Sequence, residues 1–216
     1  IEGTAEAGST VELFNGSDSL GTVIAADNGT FSITSSVLPD DIYTLTVRAT
    51  DLAGNVSAES VGLPIEIDTT APAAPLITTD IALTKINTPT ITGTTAPGTK
   101  VTLLDGDNAL GTVIAGNDGS FSITSSVLAD ANYTLTVTAT DEAGNTSVPS
   151  TGLPITIDTT APAAPLITTD IALTKINTPT IEGTAEAGST VELLNGSESL
   201  GTVNADNDGN FSITSP

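Results

Sequence analysis

The chain of 216 residues has no cysteine, no histidine, no methionine and no tryptophan. Without cysteine there is neither a disulfide framework nor a thiolate metal site. Without histidine, Ser-His-Asp catalysis and imidazole metal ligation are excluded. Cations are almost as scarce: 4 Lys and Arg stand against 26 Asp and Glu, a formal net charge of -22. Such a chain lacks the basic surface that engages nucleic-acid phosphates and has no attraction to an anionic membrane. No apolar run approaches the roughly 20 residues of a membrane helix, so no membrane insertion by this segment is expected.

Acidity of this degree often accompanies disorder, yet 38% of the residues are hydrophobic. They are placed in ordered alternation, which argues for a packed core. The alternation sits inside an internal repeat. IEGTAEAGSTVEL at residues 1–13 recurs at 181–193, with the variant ITGTTAPGTKVTL at 91–103. APAAPLITTDIALTKINTPT at 71–90 returns unchanged at 161–180. The period is 90 residues. Three units follow: 1–70 lacking its first strand, 71–160 complete, and 161–216 stopping before its last two strands. The expectation is a window cut from a longer tandem array.

The complete unit reads as all-β. Tyr133, Leu135, Val137 and Ala139 alternate with Thr134, Thr136, Thr138 and Thr140, the period of a strand with one buried and one wet face. Strands are expected near 75–79, 88–95, 99–104, 109–114, 119–125, 132–140 and 151–158, with Gly-, Asp- and Asn-rich turns between them. Seven strands in about 90 residues predict an Ig-like Greek-key β-sandwich. Chain reversal at each turn puts the loops near 96–98, 115–119 and 141–146 at the entry end and those near 126–131 at the exit end. Successive sandwiches should then form a linear rod. Pro72, Pro75, Pro162 and Pro165 stiffen the linkers by fixing φ.

With so few cations, most carboxylates lack a basic partner. Several gather at the expected joints: Asp68 with Asp141, Glu142 and Asn145, and Asp118 at the same end. Asp158 and Asp208 hold matching positions at the next joint, while Asp51 and Asn55 match Asp141 and Asn145 in the first unit. Hard oxygen donors without sulfur or imidazole suit Ca²⁺ better than Zn²⁺. The same residues are also ordinary turn formers. Carboxylates that recur in every unit with no pocket-forming insertion do not predict an enzyme. The aromatic residues Phe14, Phe31, Phe121, Phe211, Tyr43 and Tyr133 are expected in the core.

Taken together, TPTITGT-APG--VTL, GTV-A-NDG-FSIT, YTLTVTATDEAGN and ITIDTTAP resemble the bacterial Ig-like repeats of giant secreted adhesins, including biofilm-associated proteins and the extender regions of repeats-in-toxin adhesins. The likeness covers the whole chain. It implies a cell-surface or secreted stalk rigidified by calcium at the inter-repeat junctions, with neighbouring repeats of the same chain as partners. By motif, it implies Asp68 and Asp158 of DTTAP, Asp141 and Asn145 of DEAGN, and Asp51 and Asn55 as calcium ligands, followed by Asp118 and Asp208. The alternative is an adhesive or homotypic matrix-assembly module that binds a glycan, a protein or a neighbouring fibre.

Overall fold

A computed structural model describes all 216 residues. It is all-β, with two compact units: Ile1–Ala82 with Thr88–Leu128 and Asn132–Thr156, and Leu83–Asn87 with Ala129–Ala131 and Ile157–Pro216. No helix is long and apolar enough to cross a membrane.

The first repeat contributes β1 (Glu2–Thr4), β2 (Thr10–Asn15), β3 (Asp18–Ile24), β4 (Thr30–Ser32), β5 (Asp41–Thr50) and β6 (Leu63–Ile67). They form two sheets, β1-β4 and β3-β2-β5-β6. The inward side chains Val11, Leu13 and Leu45 of the larger sheet meet Phe31 and Ile33 from the smaller one in a single cluster. This is the face-to-face packing that period-two burial dictates.

The second repeat has β7 (Leu76–Ile77), β8 (Leu83–Thr84), β9 (Thr90–Thr94), β10 (Lys100–Asp105), β11 (Asn108–Ile114), β12 (Ser120–Thr124), β13 (Ala131–Thr140) and β14 (Leu153–Ile157). Its sheets run β11-β10-β13-β14-β8 and β12-β9-β7, with antiparallel pairs. The alternation read in the sequence holds at β13, where Leu135, Val137 and Ala139 are fully buried. Each of the seven expected strands has a counterpart. Their number is corrected by one, because β8 lies within a stretch expected to be a loop. It is held by two backbone bonds, Thr156 N–H to the Ala82 carbonyl at 2.9 Å and Asp158 N–H to the Thr84 carbonyl at 3.0 Å. So short a pairing leaves no alternation for a sequence to display.

The third repeat contains β15 (Leu166–Ile167), β16 (Thr180–Thr184), β17 (Thr190–Asn195), β18 (Glu198–Asn204) and β19 (Asn210–Thr214), in sheets β15-β16-β19 and β17-β18. Val191, Phe211 and Ile213 make its small core.

Phe31, Phe121 and Phe211 are buried as expected. Phe14 is not part of that core. Its counterparts at the 90-residue spacing are Leu104 and Leu194. It is only half-buried, with the Arg48 guanidinium 5.2 Å from its ring centroid and Glu59 paired to that arginine. Position 14 points to the outer face of the sheet, where alternation from Leu13 must put it.

Candidate functional site

The Asp-x-x-Gly-Asn turns are built by their own side chains. Asp141 Oδ1 accepts the Asn145 backbone N–H at 2.8 Å, and Asp141 Oδ2 accepts from Asn145 Nδ2 at 3.0 Å. Asp51 and Asn55 repeat both bonds at 2.8 and 2.7 Å, and the Ala53 N–H adds a third at 2.9 Å. The glycine is required, since Gly54 and Gly144 have φ of 91° and 97°. At Asp51 the hydrogen bonds from the Asn55 side chain and backbone hold the carboxyl below its ordinary pKa. At Asp141 partial desolvation pushes upward, but the bonds from Asn145 outweigh it and the net direction is also down.

One bond crosses from this turn to the preceding linker. Asn145 Nδ2 donates to the Asp68 backbone carbonyl at 3.0 Å. The Asp68 carboxylate is engaged elsewhere, accepting the Thr70 N–H at 2.9 Å, and Asp158 does the same with Thr160 at 3.0 Å. The structure thus brings Asp68, Asp141 and Asn145 to one place through an amide and a main-chain oxygen.

Asp118 stays local. Its Oδ1 accepts the Ser120 N–H at 3.0 Å and the Ser120 hydroxyl at 2.7 Å, with that hydroxyl the main cause of its lowered pKa. Asn28 makes the same two bonds to Thr30 at 3.0 and 2.7 Å. In the third repeat the turn is organised differently. Asp206 accepts the N–H groups of Asp208 and Asn210 at 2.9 and 2.8 Å, so Asp208 is a donor there. No group of three or more Asp, Glu, His or Cys side chains is arranged to hold a metal ion. At the Asp68 joint the Asp141 carboxylate and the Asp68 main-chain carbonyl converge on the Asn145 amide nitrogen, and these oxygens suit a hard cation in kind. In number they fall short of the six to eight oxygens that Ca²⁺ takes.

The residues that hold the linkers most firmly were not among those singled out from the sequence. Asp130 Oδ1 accepts the Thr159 N–H at 3.0 Å and its hydroxyl at 2.8 Å, while Oδ2 accepts the Thr160 hydroxyl at 2.8 Å. Asp40 takes the hydroxyls of Thr69 and Thr70 at 2.7 and 2.9 Å. The first and second repeats therefore each grip their own outgoing Asp-Thr-Thr linker with one bidentate aspartate. The available signal was the recurrence of Asp40 as Asp130 in step with the two Asp-Thr-Thr runs.

These bonds favour the ionised form. The Thr69 hydroxyl is the largest cause at Asp40 and the Thr159 hydroxyl at Asp130, and both pKa values lie below the ordinary 3.8. A depressed folded pKa gives stability that is present above the unfolded value and is lost as pH falls through the folded one. Asp130→Ala should therefore speed amide exchange at Thr159, whose N–H it accepts, at neutral pH, while leaving Leu135 protected. Acidification through the folded pKa of Asp130, which lies below 3.8, should reduce the linker protection factor of the parent protein to that of the variant. Equal linker protection in both proteins at neutral pH would refute the clamp.

The family described as bacterial Ig-like domain matches residues 1–69 and 78–159. Among curated proteins, Exoglucanase B of Cellulomonas fimi is 33% identical over 177 residues, covering 71% of this chain and 15% of that protein. Chitinase A1 of Niallia circulans is 36% identical over 135 residues, covering 59% of this chain and 19% of that protein. The chain thus spans less than a fifth of the length of either curated relative. Among solved structures, the fibronectin(III)-like modules of Clostridium thermocellum CbhA align with TM-score 0.48 and 21% identity, over 72% of this chain and 80% of that one. The BSP domain of a biofilm associated protein aligns with TM-score 0.34 and 28% identity, over 72% of this chain and 26% of that one.

Proposed function

The chain belongs to the bacterial Ig-like domain family, and from that membership we propose that it is a non-catalytic module of a larger bacterial protein working outside the cell, at the surface or in the secreted matrix. The finer reading is that it acts as an extender, a stalk segment of an adhesin built from tandem Greek-key sandwiches set in line. The observation that carries it is the double hold on the first linker. Asp40 grips Thr69 and Thr70 from behind, and Asn145 takes the Asp68 carbonyl from the repeat ahead. A linker of a few residues held by both the repeat behind and the repeat ahead has little freedom to swing.

Calcium belongs to this proposal. Asp68, Asp141 and Asn145 would hold it at the first joint, with Asp158 the matching linker residue at the second and Asp51 and Asn55 the matching turn in the first repeat. Asp118 and Asp208 take a lesser part. The ion would supply charge neutralisation among carboxylates that have few basic partners. A net charge of -22 also repels neighbouring copies, which suits a spacer that must stay single.

The adhesive reading has separate support. Two relatives above 30% identity carry names that speak of glucan and chitin, which favours a module that lies against a polysaccharide or a neighbouring matrix fibre. The half-buried Phe14 under Arg48 is present in the first repeat alone and gives that reading a non-repeated surface feature.

Small-angle scattering of the three-repeat chain, titrated with Ca²⁺ and then EGTA, tests the extender. The maximum dimension should rise with calcium and relax when it is chelated. Unchanged scattering and unchanged melting would remove calcium from the joint. Retention on insoluble chitin or cellulose, lost in Phe14→Ala, would favour adhesion over spacing.

A further inference from the structure

Each repeat carries two turns in which Asn or Asp precedes glycine. At the tips of the hairpins β2-β3, β10-β11 and β17-β18 stand Asn15-Gly16, Asp105-Gly106 and Asn195-Gly196. At the turns leading into β4, β12 and β19 stand Asn28-Gly29, Asp118-Gly119 and Asp208-Gly209. In an Asn-Gly pair the side-chain amide is open to attack by the next backbone nitrogen, because glycine has no Cβ to obstruct ring closure. By sequence, Asn15, Asn28 and Asn195 rank together. The structure separates them.

In the turns before β4, β12 and β19 the glycine nitrogen is occupied. The Gly29 N–H donates to the Ala26 carbonyl at 2.8 Å, as Gly119 and Gly209 do to Gly116 and Asp206 at 2.9 Å. A Cβ on Gly29 would lie 2.9 Å from the Ala5 carbonyl oxygen, so the turn is packed against backbone. The Asn28 carboxamide is fixed too, through the two bonds that its Oδ1 accepts from Thr30. At the hairpin tips none of these restraints exists. The N–H groups of Gly16 and Gly196 have no hydrogen-bond acceptor, and the Asn15 and Asn195 side chains have no partner. Nothing lies within 4 Å of where either glycine would carry a Cβ. The tips share one more pattern. Across each of them an acid faces an amide: Asn15 opposite Asp18, Asp105 opposite Asn108, and Asn195 opposite Glu198.

We infer that Asn15 and Asn195 are sites of spontaneous deamidation by water, and that the fold shields Asn28 from the same reaction. The Gly16 nitrogen attacks the Asn15 side-chain carbonyl carbon. A C–N bond forms, and the side-chain amide leaves as ammonia with the proton that the Gly16 nitrogen gives up. Water then opens the succinimide ring. Its hydroxyl adds to one of the two ring carbonyls, that carbon's bond to nitrogen breaks, and the remaining proton returns to the Gly16 nitrogen. Opening at the side-chain carbonyl leaves aspartate, and opening at the main-chain carbonyl leaves isoaspartate. The net change is ammonia lost for water gained, with nothing oxidised or reduced. Asn195 and Gly196 react alike. Either product sets a carboxylate opposite Asp18 or Glu198, and like charges facing directly across an antiparallel pair are destabilising. The second hairpin already has the arrangement that avoids this, since Asp105 faces Asn108. Deamidation therefore loosens the tips of the first and third hairpins.

The test stores the folded 216-residue chain in mildly alkaline buffer, beside the same chain unfolded in urea, and follows each Asn-Gly site by digestion and tandem mass spectrometry. In the folded chain Asn15 and Asn195 should convert at least about tenfold faster than Asn28, and in urea the three rates should converge. Asn28 is exposed while Asn15 is half-buried, so a ranking by exposure alone would run the other way. Asn28 converting as fast as Asn15 in the folded chain would overturn the assignment, and so would Asn15 surviving there while it converts in urea. A ratio that persists in urea would do the same, because flanking residues rather than the fold would then set it. Asn15→Asp should lower the exchange protection of the pair Asn15 and Asp18, and adding Asp18→Asn, which reproduces the pairing of Asp105 with Asn108, should restore it. Unchanged protection in the single variant would refute the loosening of the tip.

Discussion

Gly93→Val is expected to expel β7 from the second repeat. A Cβ at this position would come far closer to the Leu76 carbonyl oxygen than the 3.0 Å that real Cβ atoms respect, and it would also meet the ring of Phe121. The carbonyl belongs to the backbone of the paired strand, so it cannot rotate away. Overpacking of this kind costs about 1–3 kcal/mol when side chains alone must move. Here the cheaper escape is to give up the strand and its hydrogen bonds. Amide exchange at Thr78 should then rise to the rate of an open chain, and the buried Val137 and Ala139 should become accessible. Gly3→Val supplies the contrast. Its Cβ meets Phe31 alone, at 2.6 Å, so it stresses a ring rather than a paired backbone. If Gly93→Val and Gly3→Val lower the melting temperature of their repeats equally, the strand is not what makes glycine necessary.

Phe121→Ala should destabilise the second repeat by about 3–5 kcal/mol, the usual range for deleting a buried phenyl ring. Phe121 is 5% exposed and reaches under β9 to the Gly93 backbone. A domain of this size has only about 5–13 kcal/mol to lose, so the variant should stand near its unfolding threshold at room temperature. Denaturant unfolding followed by exchange at Leu135 and Val137 reads the loss. Combining Phe121→Ala with Gly93→Ala should cost less than the sum of the two, because the ring that collides with the new methyl has gone. Strict additivity would mean that only the Leu76 carbonyl opposes the methyl.

How far the sequence reveals this molecule depends on whether a feature is local. Alternation through Tyr133, Leu135, Val137 and Ala139 placed β13 because burial imposes period two on a strand. Glycines next to Asp and Asn marked the turns because those positions need positive φ. By contrast, β8 is defined by two backbone bonds to residues about 70 positions away in sequence, and local composition is silent about them. The site shows the same division. The Asp-x-x-Gly-Asn motif was visible, yet a motif cannot say whether its oxygens serve a turn or an ion, since both tasks need the same residue types. In this structure they organise the turn, and Asn145 extends that role to the linker. Asp40 and Asp130 escaped notice because their threonine partners lie 29 and 30 residues away. A long-range hydroxyl contact leaves no spacing signature. Only its recurrence with the 90-residue period could have drawn attention to it.

The aspartate clamp has a consequence for how such a chain changes length over generations. Each clamp and the threonines it holds lie inside one repeat, with the linker ending at Thr70 or Thr160 and the next segment opening with the same Ala-Pro-Ala-Ala-Pro. Excising residues 71–160 would join Thr70 to Ala161 and recreate, letter for letter, the junction already present at Thr160 and Ala161. Slippage between near-identical gene copies can thus add or remove whole repeats without producing a joint that selection has never seen. The number of repeats becomes a heritable quantity adjustable in steps of 90 residues, and a lineage can retune it by recombination alone.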